Sequence, residues 1–123
     1  MKRDIAELWI EALESGEYLQ GRNQLVHEDD GIRRHCCLGV LCDLAGRAGV
    51  ADSEDGGGGY FPFHTDGATL PEVVMEWAGV KAGTGVLPRE EGSLTRDSLM
   101  LRNDDGYTFS QIAQIIRKNV DEL

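Results

Sequence analysis

Apolar positions near the start of the chain recur with helical spacing. Ile5, Leu8, Trp9, Ala12 and Leu13 fall at i, i+3, i+4, i+7 and i+8, and Glu7, Glu11 and Glu14 take the other side. The pattern predicts an amphipathic helix over 4–14, capped by Asp4 and ended at Ser15-Gly16. Beyond a turn-like link at 17–21 the period changes. Gln24–His27 and Ile32–Cys36 flank Glu28-Asp29-Asp30-Gly31, where Asp-Gly signals a positive-φ turn, so a short antiparallel β-hairpin is predicted. From Cys37 to Gly46 the residues are apolar almost all round, with Asp43 the only charge before Arg47. A helix of this composition must be covered on most sides and is the expected central helix. Glycine at position 39 costs such a helix about 1 kcal/mol relative to alanine, which predicts a close approach of another backbone there.

The second half is more broken. Ala51–Thr69 carries Asp52-Ser53-Glu54-Asp55, four consecutive glycines and Tyr60-Phe61-Pro62-Phe63-His64, and it reads as a flexible glycine-rich insertion with a short aromatic strand. It lacks the Gly-Lys-Ser/Thr ending of a phosphate loop. Leu70-Pro71-Glu72 opens a second amphipathic helix with Val73, Val74, Trp77 and Ala78 inward and Gly79 as its stop. A loop is predicted over 80–92, a short helix within 94–101, and a tight turn at Asn103-Asp104-Asp105-Gly106. Thr108 and Gln111 form a capping box for a last helix with Phe109, Ile112, Ala113, Ile115, Ile116 and Val120 as its buried stripe. Together these predict one α+β domain over 1–123, with a buried central helix, three or four amphipathic helices and an edge hairpin.

Charge and cysteine usage narrow the functional classes. With 12 Lys plus Arg against 22 Asp plus Glu, the net charge of −10 disfavours nucleic acid as a partner. No apolar run approaches the roughly 20 residues needed to span a bilayer, and Met1-Lys2-Arg3-Asp4 is not followed by a signal-peptide core. A cytoplasmic protein without membrane contact is expected. Three cysteines, two of them adjacent, make no disulfide framework, so reduced thiols are expected.

Candidate chemistry centres on 27–37. Cys37 and Cys42 lie about 140° apart around a helix, and no paired Cys or His spacing supports zinc, so no metal and no cofactor is expected. Cys36 or Cys37 at a helix N-terminus behind Arg33, Arg34 and His35 has the surroundings that favour a thiolate, with His64 or His27 as a base. Core packing is the competing and favoured reading of both thiols, because free cysteine is among the most buried residue types. Arg33, Arg34 and His35 are a basic exception in an acidic chain and suit an anion, although alternation puts Arg33 and His35 on one face and Arg34 on the other. Solvated ion pairs with Glu28, Asp29 or Asp30 are the favoured reading there.

Trp9-x-x-Ala12-Leu13-x-Ser15-Gly16-x-Tyr18-x-Gln20-Gly21, Cys36-Cys37-Leu38-Gly39-Val40-Leu41-Cys42-Asp43-Leu44, Leu70-Pro71 with Trp77, and Asn103-Asp104-x-Gly106-x-Thr108-Phe109-x-x-Ile112-Ala113-x-x-Ile116 span nearly the whole chain. This set resembles a family of small, functionally uncharacterised proteins of tailed bacteriophages and prophages. The resemblance implies an origin in a host-cell cytoplasm and adds Tyr18, Gln20, Asn103 and Asp104 to Arg33, Arg34 and His35 as candidate ligand-binding residues. It departs from the family pattern at Arg102, where an apolar residue is expected before Asn103. The leading expectation is a phage-type accessory protein that binds a host protein or a small anionic molecule without turnover. The alternative is a small cysteine-dependent enzyme using Cys36 or Cys37 with His64 or His27.

Overall fold

A computed structural model describes residues 1–50, 69–89, 92 and 97–123. Residues 51–68, where a glycine-rich insertion with a short aromatic strand is expected and which include His64, lie outside the described residues. The elements run α1 (Arg3–Glu14), β1 (Val26–Asp29), β2 (Ile32–His35), α2 (Cys37–Arg47), α3 (Glu72–Ala78), α4 (Leu99–Asp104) and α5 (Phe109–Asn119). The fold is small and mixed α+β, as expected.

α2 is the axis of the core. Cys37, Leu38, Gly39, Val40, Leu41, Cys42, Asp43 and Ala45 are all buried, and α1, α3, α4 and the hairpin pack around it. α1 rests on both α2 and α5, and its Trp9 indole donates to the Cys37 carbonyl at 2.9 Å. Gly39 is the point of closest approach: a Cβ built there would stand 1.8 Å from the Leu25 carbonyl oxygen. Only hydrogen fits between α2 and the chain entering the hairpin, as the glycine predicted. Asp30 and Gly31 close the hairpin with φ of 50° and 78°, the paired left-handed conformations of a two-residue turn whose twist suits the strands. The register pairs Val26 with His35, His27 with Arg34, Glu28 with Arg33 and Asp29 with Ile32.

Four local expectations are corrected. The buried stripe of α1 is Ile5, Ala6, Trp9, Ile10 and Leu13, and Leu8 is 48% exposed. At about 100° per residue the stripe is turned by roughly 60°, because α5 covers the Ala6 and Ile10 side. Asp4 does not cap α1: Lys2 holds that position and Asp4 stands in the first turn. On α3, Val73 is exposed and Val74 and Ala78 are buried, with Gly79 at φ 72° ending the helix. Asn103 and Asp104 belong to the last turn of α4, whose N-cap Ser98 accepts from the Leu101 amide at 3.2 Å. The capping box of α5 forms, with Thr108 and Gln111 bonded reciprocally.

Candidate functional site at the hairpin–helix junction

β2 delivers His35 directly to the start of α2. The link from α1 runs beside it: the His35 amide donates to the Leu19 carbonyl at 2.8 Å, and the Gly21 amide donates to the His35 carbonyl at 2.8 Å. This short parallel bridge fixes Tyr18 and Gln20 on either side of the strand end. The Tyr18 ring meets the His35 imidazole edge-on, with centroids 5.1 Å apart. Its hydroxyl donates to Asp43 Oδ2, which also pairs with Arg47 Nε at 3.0 Å one turn further along α2. The Arg47 guanidinium lies 6.0 Å from the Tyr18 ring centroid, within cation–π range. Tyr18, His35, Asp43 and Arg47 therefore form one cluster built from the α1–β1 link, β2 and α2.

Its electrostatics follow from burial. His35 is 7% exposed, and desolvation lowers its pKa; Arg33 and Arg47 act in the same direction, and Asp43 opposes them. The imidazole is accordingly neutral near pH 7. Its Nδ1 is buried and has no hydrogen-bond partner among the described residues, an uncommon state that calls for a reason. Burial, followed by the bond to Asp43, pushes the Tyr18 phenol far above its ordinary value, so it acts as a donor and not as a base.

The other candidate residues divide between this cluster and a separate polar knot. Asn103 is fully buried, and its amide Nδ2 donates to the Gly21 carbonyl at 2.8 Å. Its Oδ1 accepts from Gln20 Nε2 at 2.9 Å and from the Cys37 amide at 3.1 Å. Gln20 Nε2 also reaches the Tyr107 carbonyl at 2.7 Å, and Asp104 Oδ1 accepts from the Asn23 amide at 2.9 Å. Gln20, Asn103 and Asp104 thus tie α4 to the link and to the first turn of α2, with their hydrogen-bonding capacity directed at backbone. Arg33 and Arg34 are exposed and face opposite sides of β2, as the alternation predicted. Arg34 stands opposite His27 and packs on Gly21, whereas Arg33 is on the His35 side. Arg102 pairs with Asp97 and sits 4.8 Å from the Tyr107 ring centroid.

The doubled cysteine has two local jobs. Cys36 is the N-cap of α2, and its sulfur accepts from the Gly39 amide at 3.4 Å. Cys37 is fully buried and its thiol donates to the Leu99 carbonyl at 3.6 Å. Desolvation pushes the Cys36 thiol up to about 11 and the Cys37 thiol well above its ordinary value. At both thiols the loss of water outweighs the backbone N–H groups at the helix start. His27 is exposed on β1 and bonded to Gln24, and His64 is outside the described residues.

The family model described as Domain of unknown function (DUF8296) matches residues 1–120. The chain belongs to this family. No curated protein and no solved structure matches it. In this DUF8296 chain, sequence reasoning overlooked Asp43 and Arg47 as site residues. The available signal was an acid and a base one turn apart on an otherwise apolar helix, a spacing that lets the two side chains meet.

Proposed function

We propose that this DUF8296 protein is a phage-type accessory protein that acts in the host cytoplasm by binding an anionic group at the hairpin–helix junction, without turnover. The anionic group belongs to a host protein or to a small metabolite. One observation carries the reading: Arg33 on β2 and Arg47 on α2 both bear on the buried, neutral imidazole of His35, whose Nδ1 is unspent. Guanidinium groups match phosphate and carboxylate geometry, and a neutral imidazole beside them adds a donor without adding charge to be buried. Asp43 holds Arg47 in place and Tyr18 holds Asp43, so this part of the cationic side is preorganised. The phage origin and the compartment are supported by the sequence resemblance alone. The raised thiol pKa values of Cys36 and Cys37 favour binding over cysteine catalysis.

The test is native mass spectrometry of the protein purified from a bacterial host, with pull-down from the same lysate. Wild type retains an anionic ligand or a specific host protein, and the Arg33→Glu/Arg34→Glu variant retains neither. Identical retention by both proteins, or none by wild type, contradicts the proposal.

A further inference from the structure

The cations of the hairpin–helix junction arrive with counter-charges of their own. Arg47 is paired with Asp43 at 3.0 Å, and Arg33 stands opposite Glu28 across the hairpin, on the face that carries His35. These guanidinium groups and carboxylates balance, so a dianion seated against the arginines leaves the cluster negative unless a positive charge is gained. His35 is the group placed to gain it. Facing its imidazole are Tyr18 from the link, with Glu17 next to it, Asp43 and Arg47 from α2 and Arg33 from its own strand, while β1 places Val26 opposite. Burial holds the Tyr18 phenol well above its ordinary value and pushes the adjoining Cys36 thiol up to about 11, so neither exchanges a proton between about pH 5.5 and 8. At His35, burial, Arg33 and Arg47 oppose the proton and Asp43 favours it. An anion against the two arginines cancels their repulsion and adds attraction of its own. No described residue hydrogen-bonds the Nδ1 of His35, so a proton arriving there displaces no donor.

We propose that the anion is a dianionic oxyanion, such as a terminal phosphoryl group, and that the junction takes it up together with one proton on His35. This rests on the anion-binding reading above and extends it to the charge state of the ligand and to control by pH. The imidazole that is neutral in the empty junction becomes the third cation of the complex. Linkage runs both ways: the anion raises the proton affinity of His35, and acidification raises the affinity for the anion. The coupling acts through the field of the bound charge and needs no contact with the buried Nδ1. A monoanion leaves a smaller deficit and draws the proton less strongly.

Sulfate and perchlorate are the probes. Both are tetrahedral, one doubly and one singly charged, and neither changes charge between about pH 5.5 and 8, whereas a phosphate group titrates near pH ~6. Calorimetric titration of the full chain at constant ionic strength, repeated in buffers of different ionisation enthalpy, reads affinity and proton uptake together. Sulfate is expected to bind at least about fivefold more tightly at about pH 6 than at about pH 7.5, with at least about half a proton taken up at the lower pH. Perchlorate binds at least about tenfold more weakly than sulfate at about pH 6. His27→Gln, on the opposite face of the hairpin, keeps the pH dependence, and His35→Gln loses it. In wild type, saturating sulfate moves the magnetic-resonance titration of the His35 ring upward by at least about half a pH unit, a readout that needs no variant. Whether a protein or a metabolite carries the group is read by pull-down against native mass spectrometry at about pH 6, where retention is strongest. Equal sulfate affinity at the two pH values without proton uptake, or a pH dependence that survives His35→Gln, overturns the coupled proton and leaves the anion site standing. Equal binding of sulfate and perchlorate overturns the dianion preference. No saturation at either pH removes the anion site and this inference with it.

Discussion

Gly39→Ala isolates the contact on which the core is assembled. The added Cβ would lie 1.8 Å from the Leu25 carbonyl oxygen and 2.7 Å from its carbon. An ordinary C···O contact is about 3.3 Å, so the backbone at Leu25, just before β1, and α2 must separate by roughly 1.5 Å locally. Both obstructing atoms are backbone, and no rotamer change relieves them. The same Leu25 oxygen accepts the Cys36 amide at 3.1 Å, a bond that the displacement stretches. Overpacking costs about 1–3 kcal/mol and the lost hydrogen bond about 1 kcal/mol, while alanine returns about 1 kcal/mol of helix propensity. The balance is a loss of about 2 kcal/mol. For a domain of this size that lowers Tm by about 6–10 °C. Urea unfolding followed by circular dichroism and tryptophan fluorescence gives the same quantity from the midpoint at constant m. A variant as stable as wild type, or more so, would refute the close approach and with it the packing of the hairpin on α2.

Other consequences are equally direct. Asn103→Ala strands the Cys37 amide and the Gly21 carbonyl and removes one of the two acceptors of the Gln20 amide, and is expected to cost about 3 kcal/mol in urea unfolding; a loss under about 1 kcal/mol contradicts the knot. His35 has a lowered folded pKa, so the unfolded chain binds the extra proton first as pH falls below about 6.5 and stability declines, by at most about 1.4 kcal/mol per pH unit. With Tyr18, Asp43, Arg33 and Arg47 around it, His35→Phe flattens this slope between about pH 7 and 5.5; equal slopes in the two proteins argue against a buried neutral imidazole. Native-state titration with a thiol reagent should modify Cys36 and Cys37 more slowly than the unfolded chain at pH 8, and faster modification of either restores the nucleophile reading.

What the residues disclosed before any coordinates depended on whether the cause was local. The Asp30-Gly31 turn, the Thr108–Gln111 capping box and the Gly79 stop are set by backbone conformation and short-range hydrogen bonds, and all three form. The central helix was legible because a segment apolar on every side has no other place to go. The orientation of α1 was not, because periodicity locates a stripe and not the neighbours that cover it. Two helices lie on α1, and they bury Ala6 and Ile10 while leaving Leu8 in water. Asn103-Asp104-Asp105-Gly106 has the composition of a turn, yet its first half closes α4, because Asn103 finds three partners in the link and α2. At the site, the basic residues of β2 were visible as a charge exception. The role of Asp43 and Arg47 was not, since it depends on Tyr18 arriving from 25 residues earlier.

Binding at the hairpin–helix junction is tested most directly by recording amide nuclear magnetic resonance spectra while inorganic phosphate is titrated into the protein. Saturable shifts concentrated at 18–21, 32–36 and 43–47, and abolished by Arg33→Glu/Arg34→Glu, are the predicted result. Shifts that are absent, scattered over the exposed lysines and arginines, or unchanged in that variant would contradict the account.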